Sequence, residues 1–246
     1  IPYLFCRDAN ALLGWALAVA CILVSITSPA IGQWTDRSGK RNTSLTIATL
    51  GVVVIMALLF FVQPDGGGTY MWLGLILLAL GNIIFETGSV VYNSMVTDVS
   101  TPQTVGRVSG FGWGMGYVGG IVLLGILYVG FIAPDVGWFG VTSENGQNIR
   151  VSKIIAAIWF LVSALPLMIT GKDHEPVGAQ TKGIWEAYRQ VIRSLVRFWR
   201  TDRSVVWVLI SSAIYRDGLA GVISFGGVLA AAAFGFYVAN LGSYNA

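Results

Sequence analysis

The sequence is short of charge, cysteine and histidine, and each shortage removes a class of function. Only 11% of its 246 residues are charged, against 55% that are hydrophobic. A soluble domain carries roughly 25% charged residues. Too few charges are present to cover a water-facing surface, so lipid must cover it instead. The two cysteines, Cys6 and Cys21, make no framework. Cys21 lies inside an apolar run, and disulfide scaffolds need several cysteines in a short chain. His174 is a single histidine in a polar link, so metal chemistry has no support and no cofactor is expected. The net charge of +3 does not point to nucleic acid, because the basic residues sit in links rather than on one folded face. No nucleophile–base or metal-ligand constellation is present either, which argues against an enzyme.

What is present is a series of long apolar runs. Six spans are expected, at about 11–33, 43–63, 70–97, 107–133, 152–171 and 204–238, most of them near the ~20 residues that cross a bilayer as helix. The expected class is an all-α multi-pass membrane bundle. The last run is too long for a simple crossing, since about 35 residues at 1.5 Å each exceed a 30 Å hydrocarbon core. Arg216, Asp217 and Gly218 interrupt it, and the preferred reading is one long broken helix that emerges into the outer solution. The chain begins at Ile1 without Met and stops at Ala246 just after an apolar run, with no signal-peptide pattern. It reads as a piece of a larger protein or a truncated gene product.

The links predict an orientation. Arg37, Lys40, Arg41, Arg107, Lys172, Lys182, Arg189, Arg193, Arg197, Arg200 and Arg203 all fall on one side. Opposite them, Gln63–Thr69 has no basic residue and Ala133–Val151 has only Arg150 at its edge. Cytoplasmic links collect Lys and Arg, so the basic links are expected inside and both chain ends outside. The largest basic link runs from Gly171 to Arg203. In it Ile184, Trp185, Tyr188, Ile192, Leu195, Val196 and Trp199 recur at helical spacing, with Arg189, Arg193, Arg197 and Arg200 on the other side. Such a helix is expected to lie in the membrane interface; a calmodulin-like target site is the weaker alternative.

The first basic link, Ile31–Asn42, reads IGQWTDRSGKRN and is expected to be a short polar loop between antiparallel spans. Composition alone allows it to be a loop that only sets topology. The spacing of Gly32, Asp36, Arg37, Gly39 and Arg41, however, resembles the loop signature of major facilitator transporters between their second and third helices. That resemblance implies a gating role, in which the Asp and the basic residues form a charge network latching the two halves in one state.

Ionisable groups inside apolar runs are costly and mark function or partners. Asn82, Glu86, Ser89 and Asn93 are spaced by four, three and four, so they share one helical face, with Tyr92 beside it. The functional reading is a substrate or proton site at Glu86, Asn82 and Asn93. The packing reading is helix–helix hydrogen bonding, worth about 1 kcal/mol per contact. Arg216 and Asp217 are the second candidates, with Tyr215 by position. Adjacent residues point about 100° apart on a regular helix, so both can face one cavity only if the helix unwinds there, which Gly218 permits. Such breaks occur at transporter binding sites; the alternative is a self-neutralising ion pair or an outward-snorkelling Arg.

The fourth span opens with GRVSGFGWGMGYVGG. Gly112, Gly116 and Gly120 fall four apart and give one smooth face, with Gly110 and Gly114 as a second strip. Small-residue faces let helices pack closely in lipid, as a sliding contact between transporter halves or as static packing. No strand precedes the stretch and no Lys-Ser/Thr follows it, so it is not a nucleotide loop.

The block Val90–Gly120 narrows the resemblance. Tyr92, Asn93, Gly106, Arg107, Ser109, Gly110, Gly112, Gly114, Gly116, Tyr117, Gly119 and Gly120 resemble the vacuole-effluxer family of the major facilitator superfamily, related to autophagy protein 22. Tyr215, Asp217 and Gly218 are similar to that family's aromatic-x-Asp-Gly. The resemblance implies a twelve-helix alternating-access carrier, of which this chain holds the second to seventh helices. Residues 1–171 would be most of the first half, 172–203 a cytoplasmic linker with its amphipathic helix, and 204–246 the truncated first helix of a second half absent from this chain. Amino-acid efflux from the vacuole is attributed to fungal members; the membrane would be the cell membrane, or the vacuolar one in a eukaryote. Proton coupling through Glu86 or Asp217 is plausible because burial raises a carboxyl pKa. The competing hypothesis is a non-transporting scaffold or regulatory module that binds lipid or a partner protein.

Overall fold

The computed structural model describes residues 2–63, 67–134, 136–173 and 184–234. Seven helices carry the described chain: α1 (Pro2–Ser38), α2 (Arg41–Leu58), α3 (Gly67–Met95), α4 (Val105–Leu127), α5 (Gln147–Thr170), α6 (Ile184–Thr201) and α7 (Arg203–Phe234). Five are long and apolar enough to cross a membrane, over Ala11–Thr35, Arg41–Phe61, Gly68–Asp98, Val105–Ile132 and Gln147–Thr170. The sixth expected run corresponds to α7, which carries Arg216 and Asp217 mid-length and is not among those five. Its expected last residues, 235–238, lie outside the described residues. The architecture is an all-helical membrane bundle.

The helices fall into two compact units, Ile1–Ala187 and Tyr188–Ala246. In the first, α3 is the central helix, packed by α1 and α2, and α2 also packs on α5. Glycine sets the α2–α3 approach. A Cβ on Gly88 would lie 3.2 Å from Ala48, one on Gly81 3.2 Å from Ile55, and one on Gly51 3.3 Å from Ile84. These contacts descend α2 as they climb α3, so the pair is antiparallel. Two small clusters complete it: Leu45, Val91 and Met95 with Leu167, and Ile55, Leu59 and Leu77 with Val62 and Ile84. Outward side chains such as Ile22, Ile47, Trp72 and Ile158 are exposed, which suits a protein solvated by lipid. In lipid the association rests on close backbone approach rather than on removing apolar surface from water.

The polar stretch Ile31–Asn42 is not the extended loop its composition suggests. α1 continues through Ser38 and α2 begins at Arg41, leaving Gly39 and Lys40 as the break. Two of its short polar side chains bond to carbonyls of the helix itself. Thr35 is buried and its hydroxyl donates to the Ile31 and Gly32 carbonyls at 2.9 Å each, while the Ser38 hydroxyl donates to Thr35 O at 3.3 Å. Gly39 then turns the chain at φ 67°, the left-handed position after a helix that glycine adopts without steric cost.

In the second unit α7 is one uninterrupted helix through Tyr215, Arg216, Asp217 and Gly218. The expected unwinding is absent: Gly218 permits a break but does not impose one, and the apolar turns on either side hold the helical ladder. Asp202 makes the corner before α7, its Oδ1 accepting the Ser204 N–H at 2.9 Å.

Candidate functional site

The expected polar stripe is present and faces away from the α2 side of α3, about 70° from Val90, where α1 packs. Gly81, Ile84, Gly88 and Val91 meet α2. Asn82, Glu86, Ser89 and Asn93 lie roughly 150° around the helix from them, at about 100° per residue. Asn82, Glu86 and Ser89 are half-buried and Asn93 is exposed. Only Asn93 and Ser89 touch one another, at 3.5 Å. Among the described residues Glu86 has no hydrogen bond or ion pair, and Asn82 Oδ1 is buried without a donor. Buried polar atoms are almost always satisfied, so this amide oxygen is an exception among the described residues, as is Asn42 Oδ1. Along the span Gly68–Asp98, Asn82 and Glu86 fall within about 5 Å of the midpoint at 1.5 Å per residue. Asn93 belongs to a different level. It lines an open cleft of about 630 Å³ at the end of the unit, with Tyr92, Ser109, Trp113, Thr170 and Lys172.

That end also carries the charged network around the first basic link. Gly32 faces α3, where a Cβ would stand 3.9 Å from Val90. Arg41 Nη1 donates to both carboxylate oxygens of Asp98, at 2.9 and 3.0 Å, in a half-buried pair. The Asn42 amide donates to Met168 O at 3.1 Å and Gly171 O at 2.9 Å. Asp173 Oδ1 accepts the N–H groups of Asn42 and Thr43 at 2.8 and 3.2 Å, and its Oδ2 accepts the Thr43 hydroxyl. Partial burial pushes the Asp173 carboxyl up, but the three Asn42 and Thr43 bonds and the charge of Lys40 outweigh that and hold it below the usual carboxylate range. Asp36 and Arg37 end α1, but their side chains lie outside the described residues.

Sequence reasoning overlooked Asp98, Asp173 and Asn42. Asp98 and Asp173 each stand just past the end of an apolar run, where an acid can meet either a basic link or a helix N-terminus. That position was the available signal. It also overlooked Gly51, Gly81 and Gly88, isolated glycines inside apolar runs. Of the three glycines expected to pack, only Gly112 has a neighbour, with a Cβ there 3.4 Å from the Tyr92 hydroxyl; around Gly116 and Gly120 nothing described lies within 4 Å. At the opposite end, Arg150 Nε donates to Phe60 O at 2.5 Å and its guanidinium lies 4.6 Å over the Phe60 ring. Tyr215 and Arg216 are exposed on α7 in the second unit, and the Asp217 side chain lies outside the described residues. The structure therefore gathers the α3 stripe and the Arg41–Asp173 network within one unit and leaves the α7 residues as a separate element. Among the described residues no three His, Cys, Asp or Glu side chains group as a metal site.

The "Uncharacterized MFS-type transporter YxiO" of Bacillus subtilis (strain 168) is 20% identical over 218 residues, covering 88% of this chain and 49% of that protein. The chain thus spans about half the length of the curated relative it matches. No solved structure gives a significant match. The sequence profile of the Major Facilitator Superfamily matches residues 8–245, nearly the whole chain, and on that ground the chain belongs to the Major Facilitator Superfamily, a family of multi-pass membrane transporters rather than enzymes.

Proposed function

We propose that this chain is the greater part of one half of a secondary transporter that moves a small polar solute by alternating access. The observation that carries the reading is the α3 stripe. Among the described residues a carboxylate without a partner and an amide oxygen without a donor stand near the middle of a membrane span, on the side of α3 turned away from α2. Ionisable groups at that depth face a cavity or a partner, and transporters place their sites near the midplane. Glu86 and Asn82 are the solute or proton groups, with Asn93 nearer the entrance. Asp217, with Tyr215 and Arg216, is a second candidate group, on α7. Proton coupling runs through Glu86 or Asp217.

Residues 172–203 link the two halves, and 204–246 open the second. The open glycine face at Gly116 and Gly120 is a surface that meets that half, and the Gly32–Arg41 motif is the latch between states. The basic end is cytoplasmic and the amino terminus of this chain external, a reading supported by Lys40, Arg41 and Lys172 at one end and by the tethered Arg150 at the other. The solute class favoured is amino acids, supported by the likeness of Val90–Gly120 to vacuole effluxers; the membrane is the cell membrane, or the vacuolar one in a eukaryotic host.

The test is proteoliposome transport of an amino-acid mixture under a pH gradient, with Glu86→Gln and Asp217→Asn run beside the wild type. Solute movement that dissipates the gradient, and that either variant abolishes without loss of folded protein, is the expected outcome. Movement untouched by both variants removes the site assignment. A protein that moves no solute in the mixture favours the scaffold reading.

A further inference from the structure

We infer that α6 is a docking helix for anionic lipid headgroups, with Arg197 and Arg200 as the residues that recognise them. Over Tyr188–Thr201 the helix divides cleanly at about 100° per residue. Tyr188, Val191, Ile192, Leu195, Phe198 and Trp199 fill one arc, and Arg189, Arg193, Arg197 and Arg200 the opposite one. Both arcs are open. Ile192, Leu195, Phe198 and Trp199 are each at least 40% exposed, and all four arginines are exposed. Among the described residues Arg197 and Arg200 have no ion pair, while Arg203 lies 5.7 Å over the Trp199 ring.

Two observations identify the occupant as a bilayer rather than a protein groove. The first is place in the chain. α6 is followed after Asp202 alone by α7, a long apolar helix of a multi-pass membrane protein, so a membrane surface is always within reach. The second is chemistry. An apolar arc with Trp, Tyr and Phe sinks into the headgroup–acyl boundary, where amphipathic rings are favoured. That placement leaves the arginine arc at phosphate level, where each cation gains from anionic headgroups. Four arginines against Glu186 give α6 a net charge of +3 (4 − 1), so a neutral surface would satisfy the apolar arc alone. The inference needs only the membrane embedding and does not rest on the transport reading.

Hydrogen exchange of the whole chain in nanodiscs tests it. Amides of 188–201 are expected to be at least tenfold better protected in discs with about 30% phosphatidylglycerol than in pure phosphatidylcholine. Protection should return to the phosphatidylcholine level in 0.5 M salt and in Arg197→Gln/Arg200→Gln, on the order of a tenfold loss. Amides of α2 and α3 report that the variant is folded. Equal protection in both lipids would overturn the inference, because the apolar arc then suffices. So would protection that falls in the variant even in phosphatidylcholine, which would make the arginines supports of the helix. Protection that arises only when an acidic protein is added would assign the surface to a protein partner instead.

Discussion

The carboxylate of Asp173 accepts the backbone N–H of Asn42 at 2.8 Å, although the residues are 131 apart in sequence. With the adjacent Thr43 bonds it closes the N-terminus of α2, where no side chain of the helix's own supplies a cap. A negative charge at that point also faces the positive end of the helix dipole. The tie joins the start of α2 to the end of α5, two elements that otherwise meet through their apolar faces.

The tie is pH-dependent, with a definite sign. The Asp173 carboxyl is held below its usual range in the folded protein by its bonds to Asn42 and Thr43. A depressed carboxyl contributes stability that is complete above its unfolded pKa, about 3.9, and is lost as pH falls through the folded value. Thermal melts in detergent should therefore lose stability below about pH 4 in the wild type, and less steeply in Asp173→Asn. At neutral pH the same substitution should cost about 0.5–1 kcal/mol, the low end of a cap, because Asp173 is exposed. Identical acid slopes for wild type and variant would show that another carboxylate is responsible.

Arg41 and Asp98 connect the start of α2 with the end of α3. Half-burial makes the pair stronger than an open surface bridge, yet water still screens it. A double-mutant cycle of Arg41→Gln and Asp98→Asn should return a coupling near 1 kcal/mol at low salt, falling with ionic strength. A coupling indistinguishable from zero at low salt would mean that the contact contributes geometry without energy.

How much of this could be read in the chain differs from feature to feature. The apolar runs of α1 to α5 were legible because a span needs continuous apolar length, and that length is local information. The α3 stripe was legible from spacing alone, since the period of the helix is fixed. The Ile31–Asn42 stretch was misread as loop because polar residues were counted without asking whether they bond inside a helix, as Thr35 and Ser38 do. The break expected at Arg216–Gly218 failed for a related reason, because glycine allows unwinding without requiring it. Asp98 and Asp173 were missed because their partners are far away in sequence. Pairing of that kind is a property of the packed bundle.

The glycines separate into two kinds, and substitution should distinguish them. Gly88 and Gly81 lie at the α2–α3 contact, where even a Cβ would stand 3.2 Å from its neighbour. Gly88→Leu should force the helices apart, costing at least ~2 kcal/mol by overpacking and lowering the yield of folded monomer on size-exclusion chromatography. Gly116→Ala should do no such harm, since nothing described lies within 4 Å, and helix propensity favours alanine by up to about 1 kcal/mol. Normal yield of Gly88→Leu would mean that α2 and α3 can slide without loss, contrary to the packing described.

Asn82 offers a test that separates stability from function. Its Oδ1 is buried with no donor in reach among the described residues, and an unsatisfied buried acceptor costs about 1–3 kcal/mol. Replacing it with leucine, of similar size and without polar atoms, should remove that cost and raise the melting temperature by a few degrees. If the amide is held ready for solute, the same change should abolish transport while the protein becomes more stable. A purely structural asparagine would behave the other way, losing stability as its hidden partner lost its bond and keeping whatever transport the folded fraction supports. Melting and flux measured on the same preparation of Asn82→Leu therefore decide between the two roles, because no single loss of folding lowers flux while raising the melting point.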